Sequence, residues 1–440
     1  MSRQAFAGAL ALLAATLLIN LIYVYRCGDG LSPFADPYSE ANALRAGELF
    51  AEQGFTVNYG LPDVTYGARY PGKGIKKSSG KEADDPVYHG YPPGSDWLAG
   101  VYIKVFGIDH VARFRSAPIA FGMAASIVFL IAMTRTLGAP RALFIYLACL
   151  LAPMFTYMTH GLYYHGYAQS LLLLEIAALL LALSKTGPAG VRFPALVFLI
   201  CFLQGWLSFD YCFVVTFAAA PLAFLISPAD APLDWRKVLI LVIVAGLGFT
   251  AAHVLHFLQS AVYFGGIREA VEEYAYRSNK RYGLTGSPLE QLSKPALIVQ
   301  GLRLYWVAFL RYTTLFSPAS IVLLVMTAAM LSLRRGTAML KNGLAFEVDS
   351  ATRGRDLIGL ALAALVSTAW LFAKPFHAMN HLYFNGRHFF LFYFACCLVI
   401  ARAAEMTIIR GAEEKSFGEE SEHRAKATPD VEAQALAASS

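Results

Sequence analysis

The chain is punctuated by apolar runs long enough to cross a lipid bilayer, and this limits its fold more than any other feature. A spanning helix needs about 20 apolar residues, because it rises about 1.5 Å per residue through about 30 Å of hydrocarbon. Ten stretches qualify: 5–24, 116–137, 140–157, 166–184, 193–208, 211–227, 237–262, 298–333, 355–373 and 387–404. The 298–333 stretch is too long for one helix and reads as a slanted entry followed by a true span, with a re-entrant or interfacial piece around Arg311–Pro318. Backbone polar groups in hydrocarbon must be satisfied within the segment, so the expected fold is all-α, a polytopic transmembrane bundle of about ten spans. Composition agrees: 57% of residues are hydrophobic and 15% charged, against about 45–50% and about 25% in soluble domains. An ordinary cytosolic enzyme, a disordered chain and a disulfide-rich secreted module are excluded.

The scarce charges set an expected topology. Lys and Arg gather in cytoplasmic loops. Alternate connections carry Arg135 and Arg141, Lys185 and Arg192, Arg236 and Lys237, then Arg334 to Arg355, while 158–165 and 209–210 carry none. Both termini are therefore placed inside, and 25–115, 263–297 and 374–386 outside. Residues 1–410 read as one membrane domain, with 25–115 its first periplasmic loop, and 411–440 as a disordered cytoplasmic tail rich in Glu, Ala, Ser and Lys. The first run also has the n-region and h-region of a signal peptide, but no clear A-x-A site follows it. The net charge of +6 is dispersed in separate loops and builds no nucleic-acid-binding stripe. The six cysteines contain no C-x-x-C and mostly lie in apolar runs, so they suggest neither a disulfide framework nor a zinc site.

Polar chemistry concentrates in the first loop. Asp36-Pro-Tyr-Ser-Glu40 opens a helix that ends at Gly54, where a C′ glycine is expected. Ala43, Leu44, Gly47 and Phe50 recur along it at helical spacing. Asp36 and Glu40 lie at its start, where a carboxylate can act as a general base on a sugar or lipid hydroxyl. Capping and complementing the helix dipole is the alternative role. Further on, Tyr88-His-Gly-Tyr-Pro-Pro-Gly-Ser-Asp-Trp97 leads an amphipathic run over Leu98–Phe106, an interfacial helix entry fixed by the paired prolines.

Together these features resemble the GT-C superfamily of membrane glycosyltransferases, which includes protein O-mannosyltransferases, lipid A aminoarabinose transferases and many bacterial relatives. Leu207-Ser-Phe-Asp-Tyr211 at an outer turn and His377-x-x-x-His381…Arg387-His388 before the last span extend the resemblance over roughly residues 1–405. It implies an inverting transfer from a polyprenyl-phosphate sugar to an envelope acceptor at the periplasmic face of a bacterial inner membrane. A first-loop carboxylate, Asp36 or Glu40, would activate the acceptor hydroxyl. Several relatives carry an Asp-Glu pair where this chain has Ser39-Glu40, and a shorter carboxylate held by Pro37 favours Asp36. Aminoarabinose transferases have a Lys before the paired prolines, where this chain has Tyr91, so phosphate contact there falls to His89 or another base. Some relatives use a divalent cation, and no local ligand set here decides the matter.

A leaving lipid phosphate gains charge and calls for cationic donors near the outer surface. Candidates are Lys374, His377, His381, Arg387 and His388 before the last span, with snorkelling to head groups the alternative for Arg387, and Arg268, Arg277, Lys280 and Arg281 in the 263–297 loop, which read rather as a solvated or head-group-facing surface. Tyr164, His165, Asp210, His253 and His256 are expected to line the substrate cavity, His253 and His256 sharing one helix face with Gln259. The rival from another class is a transporter or lipid flippase using Glu175, His253 and His256 along a mid-membrane path. The expected partners are the lipid-linked donor, membrane lipids and an envelope acceptor, with no nucleic acid.

Overall fold

The computed structural model describes residues 2–32, 37–66, 86–152, 155, 159–184, 192–227, 231–282, 350–373 and 386–402, with short pieces between 293 and 303. Asp36, Lys374, His377, His381, most of 298–333 and the 411–440 tail lie outside the described residues, as does the side chain of Arg387.

The described residues form a helical membrane bundle. Its elements are α1 (Arg3–Cys27), α2 (Pro37–Gln53), α3 (Gly94–Phe106), α4 (Val111–Phe114), α5 (Ser116–Leu137), α6 (Ala139–Leu150) and α7 (Tyr164–Leu183). They continue with α8 (Arg192–Leu207), α9 (Cys212–Phe217), α10 (Ala219–Ile226), α11 (Trp235–Phe264), α12 (Ile267–Tyr282), α13 (Ser350–Ala373) and α14 (Phe390–Arg402). Four stretches are long and apolar enough to cross a membrane on their own: Arg3–Cys27, Val111–Leu137, Tyr164–Leu183 and Trp235–Phe264. Ala139–Leu150, Arg192–Leu207 and Phe390–Arg402 are apolar but shorter.

Among the described residues, four of the ten expected spans, 5–24, 116–137, 166–184 and 237–262, are full-length apolar helices. The run 211–227 is divided into α9 and α10 at Ala218. Pro221 lacks the N–H that would bond back across the break, which is the local reason for it. The run 140–157 is helical through Leu150.

The central helix is α7, which is buried around nearly its whole circumference, Gln169 and Glu175 included. The helices α1, α8 and α11 expose apolar stripes such as Leu17, Leu18 and Leu21, Leu199 and Leu203, and Leu239, Ile243 and Leu247. Lipid tails are the environment in which such stripes cost nothing.

The outer loop packs onto one end of this bundle through α2 and α3. A Cβ on Gly47 would lie 2.8 Å from the Cβ of Ala99. Only glycine allows the two helices to approach this closely. The helix α2 ends at Gly54, whose φ of +91° is a glycine conformation. The C-terminal ends of α2 and α3 match the sequence expectation, while α3 begins at Gly94, four residues before the expected run at Leu98. An isolated antiparallel bridge between Asp63 and Val87 brings the segment after α2 beside the Tyr88–Gly94 turn.

Candidate functional site

Two polar clusters meet at the loop end of the bundle. The first is built on Glu40, in the first turn of α2 and fully buried. Its Oε1 accepts from Arg115 Nη1 at 2.7 Å and from the Leu162 N–H at 3.1 Å. Its Oε2 accepts from Arg115 Nη2 at 2.8 Å and from the Ser32 N–H at 2.7 Å. Arg115, between α4 and α5, also donates to the carbonyls of Gly30 at 2.8 Å and His160 at 3.1 Å. The ion pair thus joins the chain on both sides of Asp36 to the start of the α5 span and to the 159–165 connection.

His160 completes this cluster. Its Nε2 lies 2.7 Å from Ser32 Oγ, and its ring stacks on Tyr23 at 4.8 Å. Burial and the Arg115 charge push its imidazole down to about 4, against an opposing pull from Glu40. It is neutral at ordinary pH. Beside it, Thr159 Oγ1 donates to Asn20 Oδ1 of α1.

The second cluster is aromatic and centred on Tyr91, in the turn before the paired prolines. Its ring stacks on Phe209 at 4.5 Å and on Tyr164 at 5.4 Å. Tyr164 donates its hydroxyl to Asp210 Oδ2 at 2.8 Å and packs on His165 at 4.0 Å. Phe209 in turn meets His253 at 6.4 Å and Trp370 at 5.7 Å. Trp370 stacks on His388 at 6.3 Å, and His388 packs on Tyr211 at 5.3 Å. Residues from the first loop, the 159–165 and 208–211 connections, α11, α13 and the segment before α14 are thus linked in one run of contacts. The expected residues Tyr91, Tyr164, His165, Asp210, His253 and His388 are all in this set.

His89 lies behind the turn, buried beside α12. Its Nε2 is 3.2 Å from Glu273 Oε1, its Nδ1 is 3.1 Å from the Val87 carbonyl oxygen, and its own carbonyl is 3.3 Å from His256 Nε2. Burial, then the Arg277 and His256 charges, push the imidazole down to about 2. The buried cation here is Arg277, whose Nε donates to Glu273 Oε1 at 2.5 Å and whose guanidinium lies 6.0 Å from the Tyr88 ring centre. The 268–281 cluster is thus divided. Arg268 is 86% exposed at its side chain and Arg277 only 6%.

Sequence reasoning missed Arg115, Glu273 and Trp370. An arginine at the junction of the outer loop with an apolar run is a usable signal for Arg115, whereas Glu273 and Trp370 carry none in their local spacing. Among the described residues, no three His, Cys, Asp or Glu side chains come together as metal ligands.

An apolar groove of about 450 Å³ opens beside the turn, lined by Gly94, Trp97, Val101, Leu171, Leu203 and Trp206 among others. A Cβ on Gly94 would lie 2.5 Å from the Trp206 carbonyl oxygen, so this glycine lets the turn sit on the end of α8.

No protein-family model matches the chain, and neither does any curated protein. Among solved structures, it is similar to the archaeal oligosaccharyltransferase AglB from Archaeoglobus fulgidus, in complex with an inhibitory peptide and a dolichol-phosphate, at 12% identity and a TM-score of 0.41. That match covers 94% of this chain and 52% of the other, so the chain spans about half the length of the archaeal enzyme. It is also similar to ArnT from Cupriavidus metallidurans bound to undecaprenyl phosphate, at 13% identity and a TM-score of 0.35, covering 90% of this chain and 78% of the other. At these values the likeness is one of helical path alone.

Proposed function

We propose that the chain is a GT-C-type membrane glycosyltransferase. It moves a sugar from a polyprenyl-phosphate donor to an envelope acceptor, with inversion, at the periplasmic face of a bacterial inner membrane. Both termini are cytoplasmic in this reading. The observation that supports it is the chain of contacts that links Tyr91, Tyr164, Asp210, His253 and His388, with an apolar groove of about 450 Å³ beside the Tyr91 turn. Such a groove suits an isoprenoid chain, and the polar end beside it suits a phosphate and a sugar.

In this mechanism Asp36 is the general base and takes the acceptor proton as the hydroxyl attacks the anomeric carbon. Glu40 has both oxygens engaged by four N–H donors. That is the environment of an anchor, whereas a base must reach a hydroxyl. Glu40 therefore holds the segment that carries Asp36. The leaving phosphate is received by the pre-α14 group Lys374, His377, His381 and Arg387. The test is transfer by the purified chain from a panel of polyprenyl-phosphate sugars. Asp36→Asn abolishes transfer without altering thermal stability; full transfer by that variant refutes the assignment of the base.

A second reading, a transporter or lipid flippase, is favoured by polar groups inside the spans. Glu175 is buried in α7 beside Cys201 of α8. Among the described residues, the side-chain amides of Gln169 and Gln204 have no protein hydrogen-bond partner. Net movement of a lipid-linked sugar across proteoliposomes, with no transfer product, selects this reading.

A further inference from the structure

The helix α12 carries an unusual buried face. It follows Gly265, whose φ of +82° ends α11 and turns the chain back on itself. Tyr274 then packs on the outer part of α11, edge-on to Phe257 at 5.5 Å and to His256 at 6.1 Å. The buried positions of α12 include Ala270, Glu273 and Arg277, at i, i+3 and i+7. That is the spacing of a helix stripe facing its neighbour, yet two of its three members are charged. Buried charges persist only where they are paired. Both find their partners in the Tyr88–His89 segment and in each other.

The contrast within the same helix is instructive. Arg268 and Glu272 form an i, i+4 pair at 3.2 Å with side chains 86% and 47% exposed. Such a pair contributes little. Glu273 and Arg277 have the same spacing at 2.5 Å but are 5% and 6% exposed. The inner pair is matched to a specific surface, and that surface is the chain two and three residues before Tyr91.

We propose that Glu273 is a positioning residue: through His89 it holds the Tyr91 ring against Phe209 and Tyr164. This rests on the proposed transferase reading for its catalytic consequence, but not for its geometry. Both atoms facing the His89 ring nitrogens are acceptors, and the Glu273 carboxylate, the stronger of the two, accepts from Nε2–H. His89 is then fixed by Glu273 on one side, by its carbonyl's contact with His256 on another, and by the edge of Phe264 at 4.6 Å. Its neighbour Tyr88 stacks on Tyr91 at 6.2 Å. With His89 fixed, the two residues between it and the paired prolines have little conformational freedom left. The position of Tyr91 is therefore set from behind the site by a helix that contributes no ring to the Tyr91 stack.

The experiment uses the full chain in detergent with 3-fluorotyrosine at position 91. Glu273→Gln, which keeps the side-chain shape, shifts or broadens the fluorine resonance. His89→Asn does the same from the other side, Glu273→Asp largely restores the signal, and Arg268→Ala leaves it unchanged. In transfer assays Glu273→Gln raises the donor KM by on the order of 10- to 100-fold, the scale expected when a positioning group is lost, and lowers thermal stability because the buried Arg277 loses its charged partner, whereas His89→Asn raises the KM with both charges left in place. An unchanged Tyr91 resonance in both Glu273→Gln and His89→Asn overturns the positioning role whatever the activity. If the resonance shifts but the wild-type chain transfers nothing, the positioning stands and the transferase reading falls.

Discussion

Glu40 and Arg115, 75 residues apart in sequence, form a two-pronged ion pair whose side chains are 1% and 0% exposed. Removing one member of such a pair leaves an unpaired buried charge, which costs about 3–5 kcal/mol. Glu40→Gln and Arg115→Gln are each expected to lower thermal stability by that order in detergent. Arg115→Lys keeps the charge but loses the fork and recovers only part. The double variant Glu40→Gln/Arg115→Gln loses less than the sum of the singles. Additive losses would show that the two side chains do not act as a unit.

Stability should fall in acid. His160 and His89 are held neutral in the fold, pushed down to about 4 and about 2. The unfolded chain therefore binds more protons once the pH drops below about 6.5, the ordinary histidine value, at a cost of up to about 1.4 kcal/mol per pH unit for each group. The loss begins near pH 6.5, continues as pH falls, and for His160 levels off near pH 4. Thermal denaturation from pH 7.5 to 5 checks this. His160→Asn flattens the slope, and a slope unchanged by that substitution contradicts the assignment.

The crossing of α2 and α3 tolerates no side chain at position 47. A Cβ there would sit 2.8 Å from the Ala99 Cβ and 2.9 Å from its carbonyl carbon. Overpacking of this kind costs about 1–3 kcal/mol. Gly47→Ala is expected to destabilise by that amount and Gly47→Val by more, whereas Gly354→Ala within α13, with nothing within 4 Å of the added Cβ, costs less. Equal melting temperatures for Gly47→Ala and wild type would contradict the close approach.

Tyr91 contributes through its ring. Aromatic pairs add about 0.5–1.5 kcal/mol beyond burial, and this ring stacks on Phe209 and Tyr164. Tyr91→Phe keeps both stacks and retains activity within a few-fold, whereas Tyr91→Ala loses both and falls well below it. Steady-state transfer kinetics separate these outcomes. A Tyr91→Phe loss as deep as that of Tyr91→Ala would move the role from the ring to the hydroxyl.

What the sequence determined by itself was local. Hydropathy placed helices along the apolar runs, and Gly54 and the paired prolines marked the end of α2 and the entry to α3, because span length, glycine conformation and proline geometry act over a few residues. Tyr91, Tyr164, Asp210 and His388 were also nameable, since polar and aromatic residues at the ends of apolar runs need a reason to be there. Only the tertiary structure decided which charges face inward. Arg268 and Arg277 look alike in sequence, yet one is exposed and the other is buried against Glu273 and Tyr88. Only the fold joined Glu40 to Arg115 in a buried two-pronged ion pair. Pairing across such separations leaves no trace in local spacing, because it is packing of distant segments that removes a charge from water and selects its partner.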